Sequence, residues 1–139
     1  MRILLSFVLL VSFLFAQDIA IVKKVTGKVF AKRSEKNIRL NIGNKLQKGD
    51  IIITKKDSSI GVIFHDGTLL SLGENSILSV DKYIFEPANK KFAFDINMKK
   101  GLATFESGKI GKLSPNSVHF NVPEGTIGIR GTKFYVEVK

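Results

Sequence analysis

Cysteine and tryptophan are absent from the 139 residues, and histidine occurs only twice. Without cysteine there can be no disulfide framework, no thiol nucleophile, no cysteine-ligated metal and no lipid-modified N-terminal cysteine. The two histidines, His65 and His119, have no spacing that makes them converge on a metal, and we read both as solvent-facing strand residues. Acidic residues are scarce: 12 Asp and Glu stand against 22 Lys and Arg, a net charge of +10. They are scattered, and several, including Asp50, Asp66 and Asp81, sit next to glycine or lysine at expected turns. There a short carboxylate caps its own backbone, which leaves no evident carboxylate pair for glycoside hydrolysis. A G-x-S-x-G elbow and a G-x-x-x-x-G-K-[ST] phosphate loop are missing as well. We therefore expect a non-enzymatic protein with no catalytic residues, no cofactor and no metal.

The long hydrophobic run of a membrane span is also lacking. Arg2 precedes a run of thirteen mostly apolar residues, Ile3 to Phe15, and Ala16 supplies a small residue for cleavage. A span needs about 20 apolar residues, so residues 1–16 read as a secretory signal peptide. The mature form, with no transmembrane span, would be residues 17–139, or 139 − 16 = 123 residues. That is enough for one core, and no linker divides it. Without Arg2 the mature chain keeps 21 basic and 12 acidic residues, a net +9. Lysines fall in pairs at expected turns (23–24, 55–56, 90–91 and 99–100), which makes a diffuse basic surface and not a nucleic-acid reader. Anionic envelope components are the partners such a surface suits.

Alternation of period two fills the remainder. Ile60, Val62 and Phe64 share a face, Asp66-Gly67 marks a hairpin, and Leu70 and Leu72 continue beyond it. Phe92, Phe94, Ile96 and Met98 alternate with Ala93, Asp95 and Asn97, Lys100-Gly101 turns, and Leu102 to Phe105 follows. Leu78 with Val80 and Tyr83 with Phe85 read as two further strands. Ile51 to Thr54 reads as a strand buried on both faces. "ESGKIGKLSPNS" reads as a long hairpin loop, and no segment shows helical periodicity. These segments amount to about ten or eleven short strands in an all-β domain, either a single rolled, barrel-like sheet or a short solenoid. The solenoid version rests on glycines 43, 49, 61, 67 and 73, which keep multiples of six.

The last stretch, "PEGTIGIRGTKFYVEVK", has glycines spaced like a nucleotide loop, but an alternating strand follows them where such a loop needs a helix. We read a corner feeding a closing strand. Arg130, set between glycines, is expected to pair with an acidic turn such as Asp50 or Asp66, because a buried guanidinium requires a partner.

In order, "VTGKVFAK", "LQKGDIIITKKDSSIGVIFHDGTLLSLGENSILSV", "KKGLATFESGK" and "FNVPEGTIGIRGTKFYVEV" resemble the FecR-type domain over about residues 25–138. The elements that carry the resemblance are the Gly49-Asp50 turn, the Asp66-Gly67 hairpin and the Arg130-Gly131-Thr132 tail. The resemblance implies an all-β, rolled module of the bacterial periplasm that senses or binds, with no catalytic residues. In iron-citrate signalling such a domain relays a transporter's state to a sigma factor through an anti-sigma segment. Only Met1 and Arg2 precede the apolar run here, so we expect the module without that segment. Its expected partner is an envelope protein, or alternatively an anionic cell-wall polymer or glycan.

Overall fold

The computed structural model describes residues 17–129 and 133–139. Among them are twelve strands, slightly more than the alternation suggests. They are β1 (Asp18–Thr26), β2 (Val29–Arg33), β3 (Lys36–Arg39), β4 (Lys45–Gln47), β5 (Ile51–Thr54) and β6 (Ser59–Phe64). After them come β7 (Leu69–Leu72), β8 (Ile77–Glu86), β9 (Lys91–Glu106), β10 (Val118–Val122), β11 (Gly125–Ile127) and β12 (Lys133–Val138). One short helix, α1 (Lys109–Leu113), and two 3-10 turns at Pro87–Asn89 and Pro115–Ser117 complete the order.

Alternation explains the strands. In β6, Ile60, Val62 and Phe64 are buried while the residues between them are half-buried. The pairings run in two series that share β9. The first is β4-β1-β6-β7-β9-β12, and the second is β3-β2-β5-β8-β9-β10-β11. All pairs are antiparallel except β9 with β10, so the six-residue glycine spacing builds no solenoid. The all-β, rolled alternative is the one observed: a curled antiparallel half-barrel.

Chain length alone demands the roll. The nine-strand path begins with β3 and ends with β4, yet only residues 40–44 join these two strands. Strands lie about 4.8 Å apart, so nine of them laid flat would separate the edges by roughly 38 Å. Five residues reach no more than about 18 Å, so the sheet must curl to bring its ends together. The joining segment is bonded to both series. Leu40 N–H donates to Val29 O (2.9 Å), Gly43 N–H to Val22 O (2.8 Å) and Val22 N–H to Asn44 O (2.9 Å).

Inside the roll lies one apolar cluster. Aromatic rings tie the two series together across it. Phe94, on the first half of β9, packs edge-on against Tyr83 at 4.9 Å and tilted against Phe64 at 4.8 Å. Phe105, on the second half, meets Phe134 at 5.2 Å and Phe120 at 6.0 Å. Because β9 carries rings into both sheets, it acts as the hinge line of the roll.

Several sequence expectations need correction. Residues 92–105 form one strand and not two. The buried residues Phe94, Ile96 and Met98 are even-numbered, whereas Ala103 and Phe105 are odd. The change of parity is absorbed where β9 bends at Gly101, which has φ +109°. A register shift between Ile77 and Leu78 of β8 lies opposite. A second shift, between Val80 and Lys82, likewise makes 77–86 a single strand. "ESGKIGKLSPNS" is no hairpin loop. It holds α1 and a 3-10 turn and crosses over to the parallel β10, as a parallel pairing requires. In β5, Ile52 and Thr54 are buried but Ile51 and Ile53 only half so. Lys23-Lys24 and Lys99-Lys100 lie within strands β1 and β9, not at turns, and Asp81 lies within β8.

Candidate functional site

Two buried carboxylates organise two of the turns, both beside β8. Asp50, 4% exposed, follows Gly49, whose φ of +88° makes the β4–β5 turn. Arg33, at the end of β2, grips it with both prongs: Nε donates to Oδ1 at 2.8 Å and Nη2 to Oδ2 at 2.7 Å. Gln47 N–H adds a bond to Oδ2 (2.8 Å), and Arg33 Nη2 also reaches Lys45 O (3.3 Å). The hydrogen bonds that Arg33 donates to Asp50, ahead of the Asp50 charge, hold the Arg33 pKa above its ordinary value. Arg33 and Asp50 continue the β2–β5 pairing within the second series, and their bonds to Gln47 N–H and Lys45 O, both on β4, tie that series to the first. Arg33 was not singled out in the sequence, where it is merely the arginine before a polar turn, 17 residues from its partner.

Asp66, 1% exposed, opens the β6–β7 hairpin, with Gly67 at φ +87°. Its Oδ1 accepts Thr68 N–H (3.2 Å) and the Tyr83 hydroxyl (3.0 Å). Its Oδ2 accepts the Thr68 hydroxyl (2.8 Å) and Ile110 N–H in the first turn of α1 (3.1 Å). The Tyr83 hydroxyl in turn accepts Asp66 N–H at 2.9 Å. Gly108 stands at the N-cap of α1 and offers no side-chain cap, so the carboxylate of a distant hairpin serves as its cap. Gly108 N–H donates to Thr68 Oγ1 (3.1 Å), and a Cβ at Gly108 would collide with Thr68 N and Asp66 O. Burial, with the nearby Asp66 charge second, pushes the Tyr83 phenol well above its usual pKa of 10.0. Thr68, Tyr83 and Gly108 were missed because each acts through a partner that the local pattern does not reveal.

The expected ion pair of Arg130, and the places of Gly131 and Thr132, lie outside the described residues. His65 and His119 are exposed. His65 Nε2 lies 2.6 Å from Asp18 O, and His119 Nδ1 lies 2.8 Å from Asp95 Oδ1. Among the described residues, no group of three His, Asp or Glu side chains is placed to hold a metal. Nor is any helix among them long and apolar enough to cross a membrane.

One face open to a partner is the outer face of the second series. Cross-strand registers line up Arg39, Phe30, Ile53, Ile77 and Lys100 in one row across β3-β2-β5-β8-β9. Phe30, Ile53 and Ile77 are half-buried, and Ile51 lies beside them with the same exposure. The Arg39 guanidinium stacks over Phe30 at 5.5 Å and donates to Gly27 O at 3.1 Å. Lys28, Lys55 and Lys56, with the single acid Asp57, line the hollow next to Phe30. The result is an apolar centre with a basic rim.

Fold and site together describe an all-β module in which buried carboxylates lock two turns and which carries one amphipathic face. The family described as FecR protein matches residues 50–139, which is 90 of the 139 residues, and the chain belongs to that family. FecR proteins are cell-envelope signalling and sensing modules, a regulatory family. Neither the curated proteins nor the solved structures compared with the chain give a match.

Proposed function

We propose that this FecR-family chain is an exported, non-enzymatic binding and sensing module of the envelope that works by protein–protein contact. In this reading residues 1–16 direct export to the periplasm and are removed, and residues 17–139 form the domain. The turn residues Gly49, Asp50, Asp66 and Gly67, with the Arg130-Gly131-Thr132 tail, lock the fold and leave recognition to the sheet surface. One observation carries the proposal: the row Phe30, Ile53 and Ile77 within its rim of Arg39, Lys28, Lys55, Lys56 and Lys100. An apolar centre inside a polar rim is the anatomy of a protein interface, and the positive rim selects a partner with acidic margins.

The test is site-specific photo-crosslinking in intact cells with the reactive residue at Phe30 or Ile53, and with Lys109 as control. Discrete protein adducts at the first two positions, absent at Lys109, are expected. Equal labelling at all three, or none, would overturn the reading. The basic rim also favours a second occupant, an anionic cell-wall polymer. That alternative predicts pelleting with purified cell wall that falls steeply as salt rises, and it fails if pelleting is absent or indifferent to salt.

A further inference from the structure

β12 is an edge strand. Among the described residues it pairs only with β9, in an unbroken register from Lys133↔Glu106 to Val138↔Gly101. Phe134, Val136 and Val138 turn toward the core, while Lys133, Tyr135 and Glu137 are exposed. Tyr135 stands 75% exposed, and Leu102, 47% exposed, lies beside Glu137 on the neighbouring strand. Exposed edges are templates for pairing, and proteins that must avoid it place proline, a bulge or an inward-facing charge there. β12 has none of the three; charged side chains also deter edge pairing, and the two that β12 carries outward, Lys133 and Glu137, are of opposite sign.

The order of its outward residues specifies the partner. Positive Lys133, neutral Tyr135 and negative Glu137 sit at equal steps of two along the strand. When an antiparallel copy is turned about Tyr135, Lys133 faces Glu137 of the second copy, Glu137 faces its Lys133, and the two tyrosines meet. A parallel copy would put like charges side by side, and centring on Val136 would set Lys133 against Lys139. Among these arrangements, only the two-fold about Tyr135 satisfies both charges, and self-complementarity under a two-fold is what an isologous contact requires. We propose that the protein forms a homodimer by antiparallel β12–β12 pairing centred on Tyr135, which makes the first sheet series continuous through both copies. This contact is separate from the amphipathic face and does not depend on what that face binds.

Sedimentation equilibrium across a concentration series provides the test, using the purified protein, Lys133→Glu, Glu137→Lys and an equimolar mixture of the two variants. The wild type should dimerise. Each reversal turns both cross-strand pairs repulsive and should weaken the dimer about tenfold or more. The mixture should recover it, because the first variant is acidic at both charged positions of β12 and the second is basic at both, so every cross-strand pair between them is again of opposite sign. Both substitutions are at exposed positions and leave the core untouched. As a second readout, Tyr135→Cys supplies the sole thiol of a cysteine-free chain and should yield a disulfide-linked dimer on mild oxidation. A wild type that stays monomeric throughout, or a dimer indifferent to both reversals, would overturn the proposal.

Discussion

Asp66 is a single carboxylate that satisfies four donors from three places in the chain. Asp66→Ala should cost about 3 kcal/mol in urea unfolding, since each buried donor left without a partner costs about 1–3 kcal/mol and some will find water. The Asp-Gly pair made the turn legible in the sequence. What the turn holds was not, because Tyr83 and Ile110 lie 17 and 44 residues away. Tyr83 offers a check through pH. Its folded pKa lies above the ordinary 10.0. Its contribution is therefore whole below pH 10 and falls as pH rises beyond it, because the unfolded chain sheds a phenolic proton that the folded chain retains. Tyr83→Phe should be less stable than wild type by about 1 kcal/mol at neutral pH, and the gap should narrow above about pH 10. The β2–β3 turn poses the opposite case. Ser34 and Glu35 take φ of 47° and 66°, left-handed values that two-residue hairpins favour and that Asn-Gly adopts at least cost. The polar residues Ser34 and Glu35 suit a turn, but its handedness is hidden in the sequence by the lack of glycine. The double change Ser34→Asn with Glu35→Gly should raise stability by about 1 kcal/mol, read as a higher urea midpoint at an unchanged slope.

At the scale of elements, period-two alternation revealed most strands, but it missed the short β3, β4 and β11 and misjudged where one strand stops. β8 and β9 each shift parity at a bulge, and a parity shift in a one-dimensional pattern looks like a turn. Only the neighbouring strand, which follows through the bulge, shows that the chain continues. α1 was illegible for a different reason. Five residues cannot display helical periodicity, and its cap comes from Asp66 rather than from its own sequence. The bend at Gly101 makes a testable contrast. A side chain there would need φ +109° and would meet the backbone of Ser76, whose hydroxyl accepts Leu102 N–H at 3.0 Å. Gly43 also has positive φ (+90°), but nothing lies within 4 Å of its would-be Cβ. Gly101→Ala should therefore cost more than about 3 kcal/mol, and Gly43→Ala only the backbone strain of about 1–2 kcal/mol. Thermal unfolding of the two variants side by side separates packing from conformation, and equal losses would mean that the Ser76 contact does not matter.

For the whole molecule, composition and alternation were enough to indicate an all-β domain, rolled or solenoid-like, but not which of the two nor which strands meet. That order follows from tethering: β3 and β4 are the ends of the nine-strand path, yet only residues 40–44 separate them in sequence. If the short joining segment maintains the roll, lengthening it should do more than add loop entropy. A six-residue Gly/Ser insertion in an unconstrained surface loop costs about 1 kcal/mol, since closure entropy grows only with the logarithm of length. Placed after Asn89, in the exposed turn between β8 and β9, the insertion should stay near that figure. Placed after Ile42, it would loosen the bonds of Leu40 to Val29 and of Gly43 to Val22 and slacken the seam that Arg33 and Asp50 clasp from the other side. There the loss should reach about 3 kcal/mol, the entropy term plus roughly one kcal/mol for each weakened bond. Combining the Ile42 insertion with Asp50→Asn should then cost less than the sum of the two alone, because both act on one seam. Strict additivity would show that the clasp and the joining segment stabilise the roll independently.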